Sequence, residues 1–232
     1  DLIKIKKKKF EFFIDCGNPP PNNFARYYQA GCLAFELISS KQKVICNSGY
    51  GKYSSPRLSS LSRSTAAHST LYINDTSSCI FQKNKSINKV YGNSLIQRHK
   101  IINKNYTEDK DFYSISVSNN GYQKKYGYLH EREIKFFKKK QLFIGKDLLI
   151  AGRKATKVNF GIRFHVHPET KVVKTQNSTT VLLSMSKGDG WKFTCSDYEL
   201  IIEKGIYLGN KNKLNKNENI FISGIAEQKD YL

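Results

Sequence analysis

Short apolar runs alternate with polar residues along this chain, and turn-forming residues punctuate them. The clearest run is 158–166. Val158, Phe160, Ile162, Phe164 and Val166 fall on one face, and Asn159, Gly161, Arg163 and His165 on the other. Strand side chains alternate with period two, so this is a strand with one apolar face. Residues 32–38, 43–47 and 70–74 read as three more strands, separated by polar segments that carry Ser-Ser-Lys, Gly49, Gly51 and Pro56. Residues 2–15 predict two short strands around the lysine run 6–9, ended by Asp15-Cys16-Gly17-Asn18-Pro19-Pro20-Pro21. Further strands are expected at 86–91, 95–102, 112–118, 134–137, 142–150, 172–175, 180–185, 191–195, 198–202 and 220–223. Residues 103–110 read as a polar loop, 138–141 and Gly188-Asp189-Gly190 as hairpin turns, and the Lys/Asn-rich stretch 210–219 as a connection. No segment keeps a 3.6-residue apolar period. Many short strands, with no internal repeat and no domain boundary, predict one all-β domain over 1–232: a large antiparallel β-sandwich with very little helix.

Composition adds charge to this picture. The 232 residues hold 39 Lys and Arg against 19 Asp and Glu, a formal net charge of +20. Such a balance favours a polyanion: acidic polysaccharide, nucleic acid or an anionic membrane surface. The chain is also rich in Lys, Asn and Ile together, as AT-rich coding gives, and part of the excess charge belongs to that bias. No RNP, KH or zinc-finger pattern is present, so no specific nucleic-acid partner is expected. The lysine run 6–9 suits either an anion site or a solvated hairpin edge guarded against aggregation, and the second is the expectation. Cys16, Cys32, Cys46, Cys79 and Cys195 are odd in number and form no C-x-x-C, which predicts free thiols rather than a disulfide framework or a zinc ribbon. No apolar run reaches eighteen residues, so no transmembrane helix is expected.

Residues 24–75 carry a more specific signal. Phe35-Glu36-Leu37, then Asn47-Ser48-Gly49, then Arg63 followed by Thr65-Ala66-Ala67-His68-Ser69-Thr70 occur in that order. The arrangement resembles the C-terminal β-domain of the heparinase II/III-like proteins, a group of bacterial polysaccharide lyases. Gly121-Tyr122, Tyr126-Gly127, His130-Glu131-Arg132, Arg163-Phe164-His165-Val166-His167-Pro168, Gly188-Asp189-Gly190-Trp191-Lys192-Phe193 and Tyr207-Leu208-Gly209 are similar to later segments of the family. The resemblance thus covers nearly the whole chain. It implies a supersandwich-like β-domain that closes the cleft of a longer lyase. The implied reaction is β-elimination at a uronic acid. A base takes the C5 proton beside a carboxylate whose charge is neutralised, and an acid assists departure of the C4 oxygen. The resemblance implies that the main acid and base lie upstream of Asp1, on an N-terminal α-helical toroid, and that this chain alone has little or no turnover. The expected partners are an acidic polysaccharide and that toroid, and the expected location is the periplasm or cell envelope. The alternative is a non-catalytic acidic-polysaccharide-binding or surface-assembly module.

The resemblance also nominates residues. Where metal-binding members carry His-x-His-x-Asp, this chain reads Tyr27-Tyr28-Gln29-Ala30-Gly31, and Asn47 stands where they carry Asp. His68 keeps its type. Zinc favours imidazole, thiolate and carboxylate over neutral amides, so no zinc or other cofactor is expected. Gln29, Asn47 and His68 are expected instead to form a hydrogen-bonded polar cluster at the family's metal position. Tyr27, Tyr28, Gln29, Arg63 and His68 are the candidate substrate contacts. The two tyrosines suit stacking on sugar rings, donation to a carboxylate, or local packing. Arg63, Arg132 and Arg163 suit bidentate pairing with sulfate or carboxylate, or a link to a loop carbonyl. His68 suits a ligand, a substrate contact or a buried, hydrogen-bonded role. His165 and His167 share a strand face with no third ligand in view, and are expected to be structural.

Overall fold

The computed structural model describes residues 1–51, 55–91, 94–186, 190–210 and 213–227. Strands make up about 50% of the chain and helix about 12%. The largest sheet has eight strands. Seven follow the order Leu2–Lys6, Phe10–Asp15, Phe35–Ser39, Gln42–Cys46, Val158–Val166, Asn215–Ala226 and Ile201–Tyr207, and Leu71–Ile73 is the eighth. The strand Val158–Val166 is central because its two halves use different partners on one side. Its first half pairs with Leu71–Ile73 and its last residues with Gln42–Cys46. Its whole length but one residue pairs with Asn215–Ala226 on the other side. A second sheet orders Leu142–Ala151, Tyr128–Phe137, Phe112–Asn119 and Ile101–Glu108 as an antiparallel meander. A third holds Lys171–Lys174, Thr180–Ser184 and Gly190–Thr194.

The apolar faces of these sheets meet in one core. Phe10 packs edge-on to Phe136 at 4.6 Å, which joins the first sheet to the second. Phe143 stacks on Phe12 at 5.3 Å and contacts Trp191 at 5.9 Å, which brings in the third. Phe164 meets Phe193 at 4.9 Å across the same space. Fully burying one such side chain contributes about 1.5–3 kcal/mol, and aromatic pairing adds roughly 0.5–1.5 kcal/mol. On the apolar face of 158–166, Val158, Ile162, Phe164 and Val166 are buried in this core and Phe160 packs against it partly buried; the other face is covered in part as well, with Gly161 and His165 buried.

Several local expectations fail, each for a physical reason. Residues 86–91 lie in the helix Lys85–Tyr91 rather than a strand. Asn84 starts it, its side-chain oxygen accepting from the N–H groups of Ser86 and Ile87 at 2.9 and 3.2 Å. A further helix, Pro56–Ser62, has Ser55 as cap and proline in its first turn. The polar stretch 103–110 is mostly the edge strand Ile101–Glu108, exposed at nearly every position. Its pairing to Phe112–Asn119 comes from the main chain, to which side-chain pattern is blind. Residues 215–219 extend the final strand, because Asn217 and Asn219 are buried and bonded rather than looped out. The strand expected at 32–38 begins at Phe35, since Leu33 takes a left-handed φ of 60°. The strand at 134–137 starts earlier, at Tyr128, and the one at 198–202 is displaced to Ile201–Tyr207. The Gly188-Asp189 part of the expected turn lies outside the described residues. All five cysteines are free, and four are buried. Among the described residues, no helix is long and apolar enough to cross a membrane.

Candidate functional site

The candidate residues gather where the chain between Asp15 and Phe35 meets the segment 63–70. The 3-10 turn Thr65–Ala67 fixes His68. The Thr65 hydroxyl donates to the Ala30 carbonyl at 2.7 Å and accepts from the Ser78 N–H at 3.0 Å. The Ser48 N–H donates to the Ala67 carbonyl at 2.9 Å. The His68 ring then hydrogen-bonds through Nδ1 to the Ser64 carbonyl at 2.8 Å, and through Nε2 to the Gln29 side chain at 3.2 Å. Gly31 lies against the ring: a Cβ there would stand 2.6 Å from His68 Cδ2. Burial pushes the imidazole pKa down to about 4, so the ring is neutral near pH 7. Nδ1 carries the proton that Ser64 accepts, and Nε2 offers a lone pair. A Gln29 amide turned to donate its N–H satisfies that lone pair.

Asn47 reaches the same place by another route. Its side-chain oxygen accepts the Ser69 N–H at 2.9 Å, and its amide donates to Glu36 Oε1 at 3.3 Å. Glu36 Oε2 pairs with Lys43 Nζ at 2.9 Å. Gln29, Asn47 and His68 are thus brought together, with Asn47 bound to the backbone beside His68 rather than to its ring. Asp15, Glu36, Lys43 and Asn47 line a groove of about 340 Å³ with Phe13 and Ile38. Burial raises the Asp15 carboxyl pKa, while the Gly17 N–H, donating at 3.0 Å, opposes the shift.

These residues do not fit the family's metal. Of the three, His68 alone is a favoured zinc donor, and the Asn47 amide is committed to Glu36 and Ser69. Among the described residues, no group of three His, Cys, Asp or Glu could hold a metal ion.

The other nominated residues separate. Arg63 is 4% exposed and donates to the Tyr28 and Ala25 carbonyls at 2.7 and 3.1 Å, with its guanidinium 4.2 Å over the Phe81 ring. It staples the loop and leaves sulfate or carboxylate little access. The Tyr28 ring packs on the small cluster of Ala25, Ala30, Cys79 and Leu95. Its hydroxyl is buried beside Cys79, and burial raises its pKa. Tyr27 is 48% exposed, edge-on to Tyr50, with the Arg26 guanidinium 5.6 Å from its ring centroid. Of the two tyrosines, Tyr27 is the one that presents its ring to solvent. Arg163 pairs with Glu203 at 2.9 Å. His165 Nε2 bonds the Ala66 carbonyl at 3.1 Å, and burial pushes its pKa down to about 3. His167 packs edge-on to Tyr207 at 5.0 Å.

Arg132 holds the site from the second sheet. It is 1% exposed and bidentate to Asp147, with Nε to Oδ1 and Nη2 to Oδ2 both at 2.8 Å. Its Nη1 donates to the carbonyls of Leu33 and Ser69 at 2.8 and 2.7 Å, one on each segment that carries the site. His130 Nε2 bonds Asp147 Oδ1 at 2.8 Å. Burial alone would raise the Asp147 carboxyl; the Arg132 charge and the hydrogen bonds from both neighbours overcome it and hold the group well below the usual carboxylate range. Burial keeps His130 on the neutral side despite Asp147. Sequence reading offered Arg132 for bidentate pairing with a sulfate or carboxylate, or for a link to a loop carbonyl; it makes a bidentate carboxylate pair and two carbonyl links, but the partner Asp147 was missed. The available signal was a lone acidic residue on the inward face of the apolar run 142–150.

Two segments far apart in the sequence are also neighbours. The Leu208 N–H donates to the Ser48 carbonyl at 2.6 Å. Gly49 has φ +81°, and a Cβ there would fall 2.4 Å from the Gly209 nitrogen, so Asn47-Ser48-Gly49 and Tyr207-Leu208-Gly209 interlock.

Among solved structures, the chain is similar to heparan sulfate lyase HepC from Pedobacter heparinus, with TM-score 0.72 and 16% identity over 97% of this chain and 33% of that one. A mutant of the same lyase gives TM-score 0.73 at 16% identity, over 97% and 32%. A heparinase III gene product gives 0.69 at 14% identity, over 97% and 34%. The chain therefore spans about a third of these proteins, and at such identity the likeness shows the fold. No curated protein shows a sequence match. The family model described as heparinase II/III-like, C-terminal, matches residues 2–230. By that match over almost its entire length, the chain belongs to the heparinase II/III-like family, as a C-terminal domain.

Proposed function

We propose that this chain is the cleft-closing, substrate-contacting domain of a lyase that cleaves a uronate-containing acidic polysaccharide by β-elimination. The observation that carries the proposal is the His68–Gln29 pair beside the groove of Asp15, Glu36, Lys43 and Asn47. In this reading the carboxylates accept hydrogen bonds from sugar hydroxyls, Lys43 faces the negative groups of the polymer, and Tyr27 offers an exposed ring. The same geometry argues that proton transfer is led from elsewhere. A histidine with a pKa of about 4 and its Nδ1 proton given to a carbonyl is a weak base at neutral pH. The acid and base are accordingly assigned to a helical domain of the parent protein, and a periplasmic or envelope location goes with that assignment.

The test is to incubate the chain with heparan sulfate and with a non-sulfated polyuronate, and to follow the ultraviolet absorbance of the unsaturated uronate product. No product is expected from the chain alone, and product is expected from the parent protein. Turnover by the chain alone would overturn this division of labour.

A second reading is favoured by Gln29 itself, an amide where metal-binding relatives carry histidine. It makes the parent a non-catalytic binder of acidic polysaccharide. Absence of product from the parent, with retained polysaccharide binding, would select it. Comparing the parent with its Gln29→His variant then shows whether position 29 accounts for the loss.

A further inference from the structure

The end of the sandwich opposite Asp15, beyond the near edge of the groove at Ile38 and Lys43, gathers three lysine-bearing turns. The lysine run 6–9 joins the first two strands, Ser40 and Lys41 join the next two, and Lys138-Lys139-Lys140 lies in the hairpin of the second sheet. Contacts between the turns show that they converge. The Ser40 N–H donates to the Lys9 carbonyl at 2.8 Å. The Lys7 and Lys138 ammonium groups stand over the same Tyr113 ring, at 4.9 and 4.3 Å from its centroid. Coding bias alone does not give this density: Lys and Arg are 39 of 232 residues overall, whereas every residue of 6–9 and 138–140 is lysine.

Part of this charge is neutralised. Lys138 pairs with Glu108, Lys139 with Asp111, and Lys6 lies 3.7 Å from Glu11. Lys8, Lys9, Lys41 and Lys140 are exposed and make no ion pair among the described residues. The Tyr113 ring under Lys7 and Lys138 also supports an aromatic face. Tyr106 is 44% exposed and stacks on Tyr113 with centroids 6.4 Å apart and planes 23° from parallel. Exposed lysines on the converging turns, together with a solvent-facing ring, suit a polymer that carries both negative groups and flat apolar sugar faces.

We infer that this end is a second binding surface for an acidic polysaccharide, separate from the groove. It rests on the polysaccharide reading above and extends it. Ile38 and Lys43 line the near edge of the groove two residues from the Ser40-Lys41 turn, about 7 Å at the usual strand rise, and Glu36 lies about 13 Å from Ser40. A long chain therefore reaches both places, and the lysines act as a flanking anchor that raises the local concentration of polymer at the groove.

The test compares two triple variants of equal charge. Lys8→Gln/Lys9→Gln/Lys140→Gln removes the patch, and Lys171→Gln/Lys204→Gln/Lys216→Gln removes three exposed lysines elsewhere. Binding to heparan sulfate is measured over a range of salt, with circular dichroism confirming the fold. The patch variant is expected to lose about tenfold or more in affinity at physiological salt and to show a shallower salt dependence. The control variant is expected to stay within about twofold. Tyr106→Ala is expected to weaken heparan sulfate binding and leave duplex DNA binding unchanged. Equal losses in both triple variants would reduce the effect to net charge and overturn the inference. So would an inert Tyr106→Ala, or duplex DNA bound as tightly as heparan sulfate through the same lysines. If the unaltered chain binds no acidic polysaccharide at all, the functional reading fails with it. If it binds and the patch variant binds equally, the inference alone fails.

Discussion

The two ends of the sandwich handle polar groups in opposite ways. At the loop end they are buried, neutral or paired, and spent on backbone: Arg63 on Tyr28 and Ala25, Arg132 on Leu33 and Ser69, His68 on Ser64. At the turn end the charges face water, and several lysines have no counter-ion among the described residues. The contrast teaches that the net charge of +20 does not describe the candidate groove, whose lining includes Asp15 and Glu36. Residues of the same chemical type act as mortar at one end and as an exposed surface at the other. Burial decides which, because a desolvated charge must be compensated and a solvated one need not be.

That comparison can be broken most forcefully at Arg132. Arg132→Met strips the charged partner from the Asp147 carboxylate, leaving it the His130 hydrogen bond, and a loss of about 3–5 kcal/mol is expected in urea denaturation. Adding Asp147→Leu is expected to restore part of it, because the orphaned charge is gone. If Arg132→Met costs as little as an exposed lysine change, the mortar description of the loop end fails. Gly31→Ala comes next. The methyl would press on the His68 ring, and a cost of about 1–3 kcal/mol is expected, with a shifted His68 resonance in NMR.

Acid gives a third, graded effect. His68 and His165 have folded pKa values depressed to about 4 and about 3. Below roughly pH 6.5 the unfolded chain takes up their protons while the folded chain does not. Stability therefore falls as pH drops from about 6.5 toward those folded values, by up to roughly 1.4 kcal/mol per pH unit for each histidine. Urea midpoints at pH 7, 5.5 and 4.5 would show it, and His165→Asn should flatten the slope. The smallest effect belongs to the turn end: Lys8→Gln, Lys9→Gln and Lys140→Gln should each change stability by about 0.5 kcal/mol or less.

How much of this was legible follows from what each feature depends on. The strand Val158–Val166 was readable because both halves of its alternation are local. The strand Ile101–Glu108 was not, because an exposed edge needs no apolar residues and is held by main-chain bonds to its neighbour. The stretch 215–219 was hidden by asparagines whose burial depends on distant partners, such as the Val166 carbonyl bonded by Asn217. At the site, the order of the family's segments indicated that Gln29, Asn47 and His68 share one place. It did not indicate that Asn47 is tied to the Ser69 amide, nor that Arg63 is sealed under its own loop. The pairing of Arg132 with Asp147 required the register of two strands, which alternation does not encode.

The burial of the thiols has a practical consequence. Cys16, Cys32, Cys46 and Cys79 sit on different segments, and none exceeds 2% exposure. A thiol reagent added to the native protein can reach them only when the covering segment opens, so their individual labelling rates form a map of local unfolding. Cys79, whose S–H is directed to His99 at 3.2 Å beneath the Gly17 carbonyl, reports the segment around the proline turn. Cys46 reports the seam between the central strand and its neighbour. The chain thus carries its own chemical stopwatch for the order in which the sandwich comes apart.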